Sequence, residues 1–387
     1  MLIPYIIGFT DFFCVSAFIP FVYKYFVGFF ESASYAGFFM SINGFVSFFL
    51  APIIGEMIDH YGPRRLLMVC GLVCSLAYMT FAASSNLALI LIARIILGMF
   101  KQNQDISKSI ICSRKLSNSE QLNELGIFNS ISLCGFCIGP IFGGYVINDD
   151  ISNIRILFLI TSLSQLNTCV LAYFFLPSQK TNSAKSSFNI SSITTSITST
   201  MSHLQSTALT DIAIIQLILV LAPSLSRTAF VQEIEAKMEF SSVYVGYLIS
   251  TSTFASVCGG FALGRLQSYF SLSSISILKI AIVFTGISKI SHFFASSISL
   301  VFFSALPYAM FSAIVRTTSL ALLVSFSGKG NVGKSVGLRA SLSAFCRALT
   351  PVAAGILTDI SVFLPSICSV ILYFSSLYFI NRLKKNV

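Results

Sequence analysis

Asp11, set in the string Gly8-Phe9-Thr10-Asp11-Phe12-Phe13, is the one acid near the middle of any long apolar stretch in this 387-residue chain. A carboxylate taken out of water has its pKa raised toward neutrality, which suits a group that must gain and lose a proton. Such a charge is costly and calls for a partner. Two bases in the fourth apolar stretch qualify, Arg94 and Lys101. At 1.5 Å per helical residue, Asp11 lies roughly 20 Å from the far end of its stretch, Arg94 roughly 10–12 Å and Lys101 roughly 20–22 Å from that side. Depth therefore favours Lys101. The same residues also read as a static ion pair holding two helices together.

The second half of the chain holds Arg227, Lys279, Lys289, Arg316, Arg339 and Arg347 in apolar stretches without matching acids. Lys279, Lys289 and Arg339 are placed to snorkel to an interface. Arg316 and Arg347 lie deeper, where an unpaired charge needs an anion or a water-filled cavity, so they are substrate-cavity candidates. His292 reads as an interface residue. The three histidines are too scattered for a metal site, and the ten cysteines, all in or beside apolar stretches, suggest no disulfide framework. Gly328-Lys329-Gly330-Asn331-Val332-Gly333-Lys334-Ser335 has the spacing of a phosphate loop but sits in a short loop between apolar stretches with no nucleotide fold around it, and reads as a chance match. No cofactor, no metal and no enzyme chemistry is expected.

The elements that position these residues follow from composition. Hydrophobic residues make up 55% of the chain and charged residues 10%, too few for an ordinary solvated surface. A helix needs about 20 apolar residues to cross a bilayer. Spans are expected near 3–24, 34–55, 66–85, 87–112, 125–147 and 155–177, then near 212–232, 242–264, 272–295, 298–324, 335–357 and 362–380. The first span lacks a basic leader and reads as a helix that stays, not a signal peptide. Twelve Lys and Arg residues, from Arg64 to Lys385, stand in loops after even-numbered spans and in the C-terminal tail, against Lys24, Arg155 and Lys237 on the other side. By the positive-inside rule both termini face the cytoplasm. The net charge of +10 is mostly this asymmetry, so no nucleic-acid partner is expected.

The expected fold is an all-α membrane protein of twelve helices: a six-helix bundle over 1–177, a cytoplasmic Ser/Thr-rich linker over 178–210 and a second six-helix bundle over 211–387. An internal repeat supports this. A shift of 209 residues aligns Tyr35 with Tyr244, Gly37 with Gly246 and Ser41 with Ser250, and a shift of 211 aligns Gly126 with Gly337, Pro140 with Pro351 and Gly144 with Gly355.

Two strings carry a family resemblance. Between spans 2 and 3 stands Gly55-Glu56-Met57-Ile58-Asp59-His60-Tyr61-Gly62-Pro63-Arg64-Arg65. Gly55 permits close helix approach and Gly62 a turn at positive φ. The string resembles the major facilitator superfamily, whose hallmark there is Gly-x-x-x-Asp-x-x-Gly followed by basic residues. The resemblance implies that Asp59, within Gly55, Gly62, Arg64 and Arg65, latches the outward-facing state near a helix N-terminus. His60 departs mildly from the pattern, and the second-half counterpart around Gly264-Arg265 has Ser268 where the Asp would align.

Span 5 carries Gly135-x-x-x-Gly139-Pro140-x-x-Gly143-Gly144. Spacing of four puts glycines on one face for close backbone approach, and Pro140 kinks the span. Cys134 and Cys137 within it read as small packing residues. The string resembles the span-5 motif typical of the superfamily's antiporters, including drug and tetracycline exporters, and implies export by proton exchange. Packing alone also explains the glycines. Arg94 followed by Gly98 resembles the span-4 motif, with Leu97 in place of the usual Gln, and the family analogy pairs Asp11 with Arg94. Together, residues 94–144 resemble the orphan "major facilitator superfamily domain-containing" transporters near the tetracycline-resistance branch.

The expectation is a monomeric secondary active transporter of a small organic solute, working by alternating access and coupled to protons as an antiporter. An uncoupled facilitator or an organic-anion transporter of the same fold stands as the alternative. A non-transporting receptor or scaffold is the third, and such a protein has no need of Asp11, Arg94, Arg316 and Arg347.

Overall fold

The structure is a computed structural model that describes residues 2–112, 118–176, 207–238, 241–270, 273–327 and 332–383. Side-chain surroundings are described throughout these except at 50–56, 58–60, 112, 118–123, 207–210, 262–270, 324, 326–327, 332–338, 340 and 383. The segment 178–206 of the expected linker, with Arg114, Lys115, Lys329 and the last tail lysines, lies outside the described residues.

In chain order the helices are α1 (Ile3–Phe30), α2 (Ala33–Tyr61), α3 (Pro63–Ala83), α4 (Leu87–Phe100), α5 (Asn103–Cys112), α6 (Asn118–Ile147) and α7 (Ile154–Phe175). They continue as α8 (Thr207–Thr228), α9 (Phe230–Lys237), α10 (Ser242–Phe270), α11 (Ser274–Phe293), α12 (Ile298–Ser327), α13 (Val332–Ile360) and α14 (Leu364–Leu383). Among the described residues no strand occurs. Ten stretches of the described residues are long and apolar enough to cross a membrane, with α4 and α5 counted together. The remaining two expected spans fall on α2 and α10, each of 29 residues.

Local chemistry sets the breaks between helices. Gly62 adopts φ 80°, a left-handed conformation, and Pro63 opens α3 at a position where its missing N–H costs nothing. Asn86 caps α4 by accepting the Ala88 N–H at 2.9 Å. Long apolar side chains such as Phe174 and Phe303 stay more than two-thirds exposed, as a lipid-facing surface requires.

Two expected spans differ from the structure. The stretch 87–112 is not one helix: α4 ends at Lys101, whose ψ of 66° leaves the helical region, and α5 begins at Asn103. The polar run Lys101-Gln102-Asn103-Gln104-Asp105 supplies the reason, since its side chains bond to neighbouring helices and Asp105 sits in the first turn of α5, where the helix dipole favours it. The seventh span, expected to 232, stops at Thr228, and the short α9 follows after Ala229.

The chain divides into two compact units. The first comprises Met1–Tyr25, Ile42–Ile190 and Ser241–Ser250; the second comprises Phe26–Ser41, Ser191–Phe240 and Thr251–Val387. The first unit has a core of Ile7, Leu67, Cys70, Ile106, Ile110 and Ala172, from α1, α3, α5 and α7. The second packs Ile215, Leu219, Ile282, Ile314, Leu323 and Tyr373, from α8, α11, α12 and α14. Lipid tails are as apolar as these side chains, so close packing and internal hydrogen bonds, not burial from water, hold such helices together. The span-5 glycines show the packing. At Gly135 a Cβ would stand 3.1 Å from the Phe13 amide nitrogen, and at Gly139 3.1 Å from that of Ala17. The face Gly135–Gly139–Gly143 therefore lies directly on the backbone of α1, while Gly144 turns to the start of α10. Cys134 is exposed and Cys137 half-exposed.

Candidate functional site

Within the first unit, α1 carries Asp11 inward, where it is 4% exposed. The break between α4 and α5 delivers Lys101 to it, and the two form an ion pair through Asp11 Oδ1. The amide of Gln165, in the middle of α7, donates from Nε2 to the same oxygen at 2.9 Å. Gln104, in the first turn of α5, donates to the Gly8 carbonyl at 3.0 Å and reaches Asp11 Oδ2 at 3.4 Å. Asn103 donates to Gln165 Oε1. The Lys101 ammonium also stands 5.8 Å from the centre of the Tyr78 ring. A buried charge pair is tolerated only when hydrogen bonds support it, and here two glutamine amides donate to the carboxylate.

Arg94 is buried on α4, seven residues before Lys101 and so about 10 Å along the helix. It interacts electrostatically with Tyr78. The acid of α1 therefore pairs with Lys101, and Tyr78 stands near both bases. Sequence reasoning did not single out Gln104, Asn103 or Gln165. Their signal was present: Gln165 is an amide inside the apolar run of α7, and intramembrane polar side chains ask for partners.

The Gly55–Arg65 string is described in part. Gly62 takes the positive φ noted above, and Arg64 donates from Nη2 to the Tyr173 carbonyl at 2.6 Å, tying the start of α3 to the end of α7. Arg65 is exposed. The surroundings of Gly55 and Asp59 lie outside the described residues.

In the second unit Arg316, on α12, is exposed, and so are Arg227 on α8 and Arg347 on α13. Arg227 and Arg316 repel one another electrostatically. Among the described residues neither has a carboxylate within 4 Å. Arg339 donates to the Arg316 carbonyl at 2.7 Å, and Lys279 to Asn381, so these two bases are held by side-chain and backbone oxygens.

The largest departure from expectation is a buried cluster in this unit. Lys289 does not snorkel: it is 2% exposed and stands 3.5 Å from Glu233, which is fully buried. Glu233 follows the seventh span, and α9 folds it inward. Lys237 approaches its Oε1 at 3.4 Å, and the Ser366 hydroxyl donates to Oε2. Burial opposes ionisation of Glu233, yet Lys289, Ser366 and Lys237 together hold its carboxyl below the ordinary glutamate range. His292 is not an interface residue either; it is buried, with Nδ1 3.1 Å from the Ser304 hydroxyl. The second-half bases are thus not all without acids. Only the folding of α9 against α11 and α14 reveals it. No group of His, Cys, Asp and Glu suited to a metal ion occurs among the described residues.

A sequence profile described as Major Facilitator Superfamily matches residues 2–351. The chain is 24% identical over 163 residues to the tetracycline resistance protein, class B, of Escherichia coli, covering 42% of this chain and 40% of that protein. It is 27% identical over 138 residues to the human major facilitator superfamily domain-containing protein 10, covering 35% and 29%. The matches thus span well under half the length of these curated relatives. Among solved structures, a bacterial homologue of the human lysosomal transporter Spinster superposes with a TM-score of 0.79 at 11% identity, covering 100% of this chain and 96% of that one. The human organic anion transporter MFSD10 superposes with a TM-score of 0.69 at 16% identity, covering 98% of each chain. At these identities the structural likeness speaks for the fold.

Proposed function

Since the chain belongs to the major facilitator superfamily, and so is a multi-pass membrane transporter of small solutes and not an enzyme, we propose that it is proton-coupled through Asp11. The observation that carries this reading is the buried Asp11–Lys101 pair at the break between α4 and α5. A proton on Asp11 removes the counter-charge of Lys101 and so changes what holds α1 to the broken span. Discontinuous helices at mid-membrane commonly build transporter sites. Coupling then follows if the inward- and outward-open states hold that proton, and the solute, with different affinities.

In this reading residues 1–177 and 211–387 are the two six-helix bundles, both termini and the 178–210 linker face the cytoplasm, and the transporter acts as a monomer. Asp59, with Gly55, Gly62, Arg64 and Arg65, is the latch on the cytoplasmic side. Exchange of solute against protons, the antiport direction, rests on the likeness of the span-5 string alone. The test is solute flux in proteoliposomes under an imposed pH gradient. Flux should run uphill when the gradient is applied and lose that drive when the gradient is collapsed; flux indifferent to it sinks the coupling and leaves a facilitator.

A second observation bears on the solute. Arg227 and Arg316 are exposed on helices of one unit and lack acids among the described residues, and Arg347 is exposed nearby in sequence on α13. Such charges favour an organic anion as cargo, the class carried by the human transporter that shares this fold. Arg316→Ala should then weaken binding of a carboxylate-bearing solute by about tenfold or more, the scale of a charge-assisted hydrogen bond, and leave neutral solutes unaffected in a thermal-shift screen. Equal effects on both would remove the anion reading.

A further inference from the structure

Two carboxylates at helix ends make contacts that none of the motifs above accounts for. Asp149 follows α6, and its Oδ1 accepts a hydrogen bond from the Ser242 N–H at the start of α10, at 2.6 Å. Asp359, in the last turn of α13, accepts from the N–H groups of Ala33 and Ser34 at the start of α2, at 2.8 and 2.9 Å, and from the Ser32 hydroxyl at 3.2 Å. The first contact lies inside the first compact unit and the second inside the second. Each nevertheless joins a helix start from one sequence half to a helix end from the other.

The two contacts are related by the internal repeat. Asp149 and Asp359 lie one repeat length apart, as do Ala33 and Ser242, or Gly37 and Gly246. Packing obeys the same relation. A Cβ at Gly37 would stand 2.9 Å from the Pro351 carbonyl carbon, and one at Gly246 3.0 Å from that of Pro140. A Cβ at Gly355 would stand 3.0 Å from the Ala33 carbonyl carbon, and one at Gly144 3.2 Å from that of Ser242. Each helix start is therefore seated on bare backbone and closed off by a carboxylate. The first N–H groups of a helix have no partner within it and carry partial positive charge, so an anionic acceptor is the group that satisfies them best. By alternation of the spans, α2 and α10 begin, and α6 and α13 end, on the side opposite the Gly55–Arg65 loop.

We propose that Asp149 and Asp359 are a symmetry-related pair of releasable caps that hold this side of the transporter closed, each giving up its helix start when that side opens. The proposal rests on the alternating-access reading but not on proton coupling or on the identity of the solute. Removing an N-cap acceptor costs typically about fivefold in the equilibrium it supports.

The test is hydrogen–deuterium exchange of the full chain in lipid nanodiscs, without solute or gradient, read on the segments 32–41 and 241–250. If both caps guard one opening, Asp359→Ala speeds exchange about fivefold at both segments, and Asp149→Ala does the same. Asp149→Asn keeps the one oxygen that accepts from Ser242 and should stay near wild type, whereas Asp359→Asn keeps only one of the two oxygens that accept from Ala33 and Ser34 and should speed exchange by less than Asp359→Ala. Ser242→Pro supplies a second route should an Ala variant fail to fold. It deletes the donor to Asp149 at a first-turn position where proline is tolerated, and it should speed exchange at the distant 32–41 segment. Acceleration confined to the segment whose own cap was removed, or no acceleration, overturns the proposal.

Discussion

Asp11→Asn is expected to abolish uphill, pH-gradient-driven solute accumulation in proteoliposomes while leaving downhill equilibration measurable. Asparagine keeps the shape of the side chain and one acceptor oxygen, so the contact from Gln165 can persist while the longer one from Gln104, made to the other oxygen, is lost. What it loses is the charge and the titratable proton. Lys101 is then left beside the Tyr78 ring with the carboxylate that paired it gone. Breaking a buried pair by removing one partner destabilises by about 3–5 kcal/mol, so the variant should also melt earlier. Lys101→Met in the same chain removes the stranded charge and should recover most of the melting temperature without restoring the gradient response. That separation distinguishes a coupling role from a strut. Wild-type accumulation in Asp11→Asn would dismiss the proton role, and recovery of both properties in the double variant would make the pair purely structural.

Glu233→Ala should be the most destabilising single change in the second unit. It leaves Lys289, 2% exposed, without its carboxylate, and strands the Ser366 hydroxyl. Lys237 is better provided for, because it also donates to the carbonyls of His292 and Phe293 at 3.3 and 2.8 Å and lies against the Phe293 and Phe363 rings. The expected loss is again about 3–5 kcal/mol, read as a fall in the thermal unfolding midpoint in detergent. Lys289→Met added to Glu233→Ala should return most of it, since replacing both members of a buried pair by apolar groups is commonly near neutral. A midpoint unchanged by Glu233→Ala would mean that Lys289 finds another partner.

These two sites show where reading the chain in one dimension stops. The depth argument reached Lys101 as a partner for Asp11 because rise per residue converts position into height inside a membrane. It missed Glu233 because the same arithmetic treats a polar stretch between spans as loop. A short helix such as α9, folded back against α11 and α14, breaks that assumption. The break of span 4 was equally hidden: hydropathy averages over a window, and Lys101-Gln102-Asn103 is too short to interrupt one. Arg64 and Gly62 behaved as local chemistry requires, since a turn at positive φ and a proline at the first helical position are decided by immediate neighbours.

Composition, apolar run length and loop charge were enough for an all-helical membrane protein with repeated halves, because lipid forces every backbone polar group to be satisfied within a helix. The span-5 glycines could be read as a contact face from their spacing alone. Which backbone they touch could not. That α1 receives Gly139, that α10 receives Gly144, and that Asp149 and Asp359 cap helices from the other half depends on contacts between residues far apart in the chain. Within a helix, hydrogen bonds are local and sequence periodicity records them; between helices, partners are chosen by packing in three dimensions, and a single chain's order of residues carries no record of that choice.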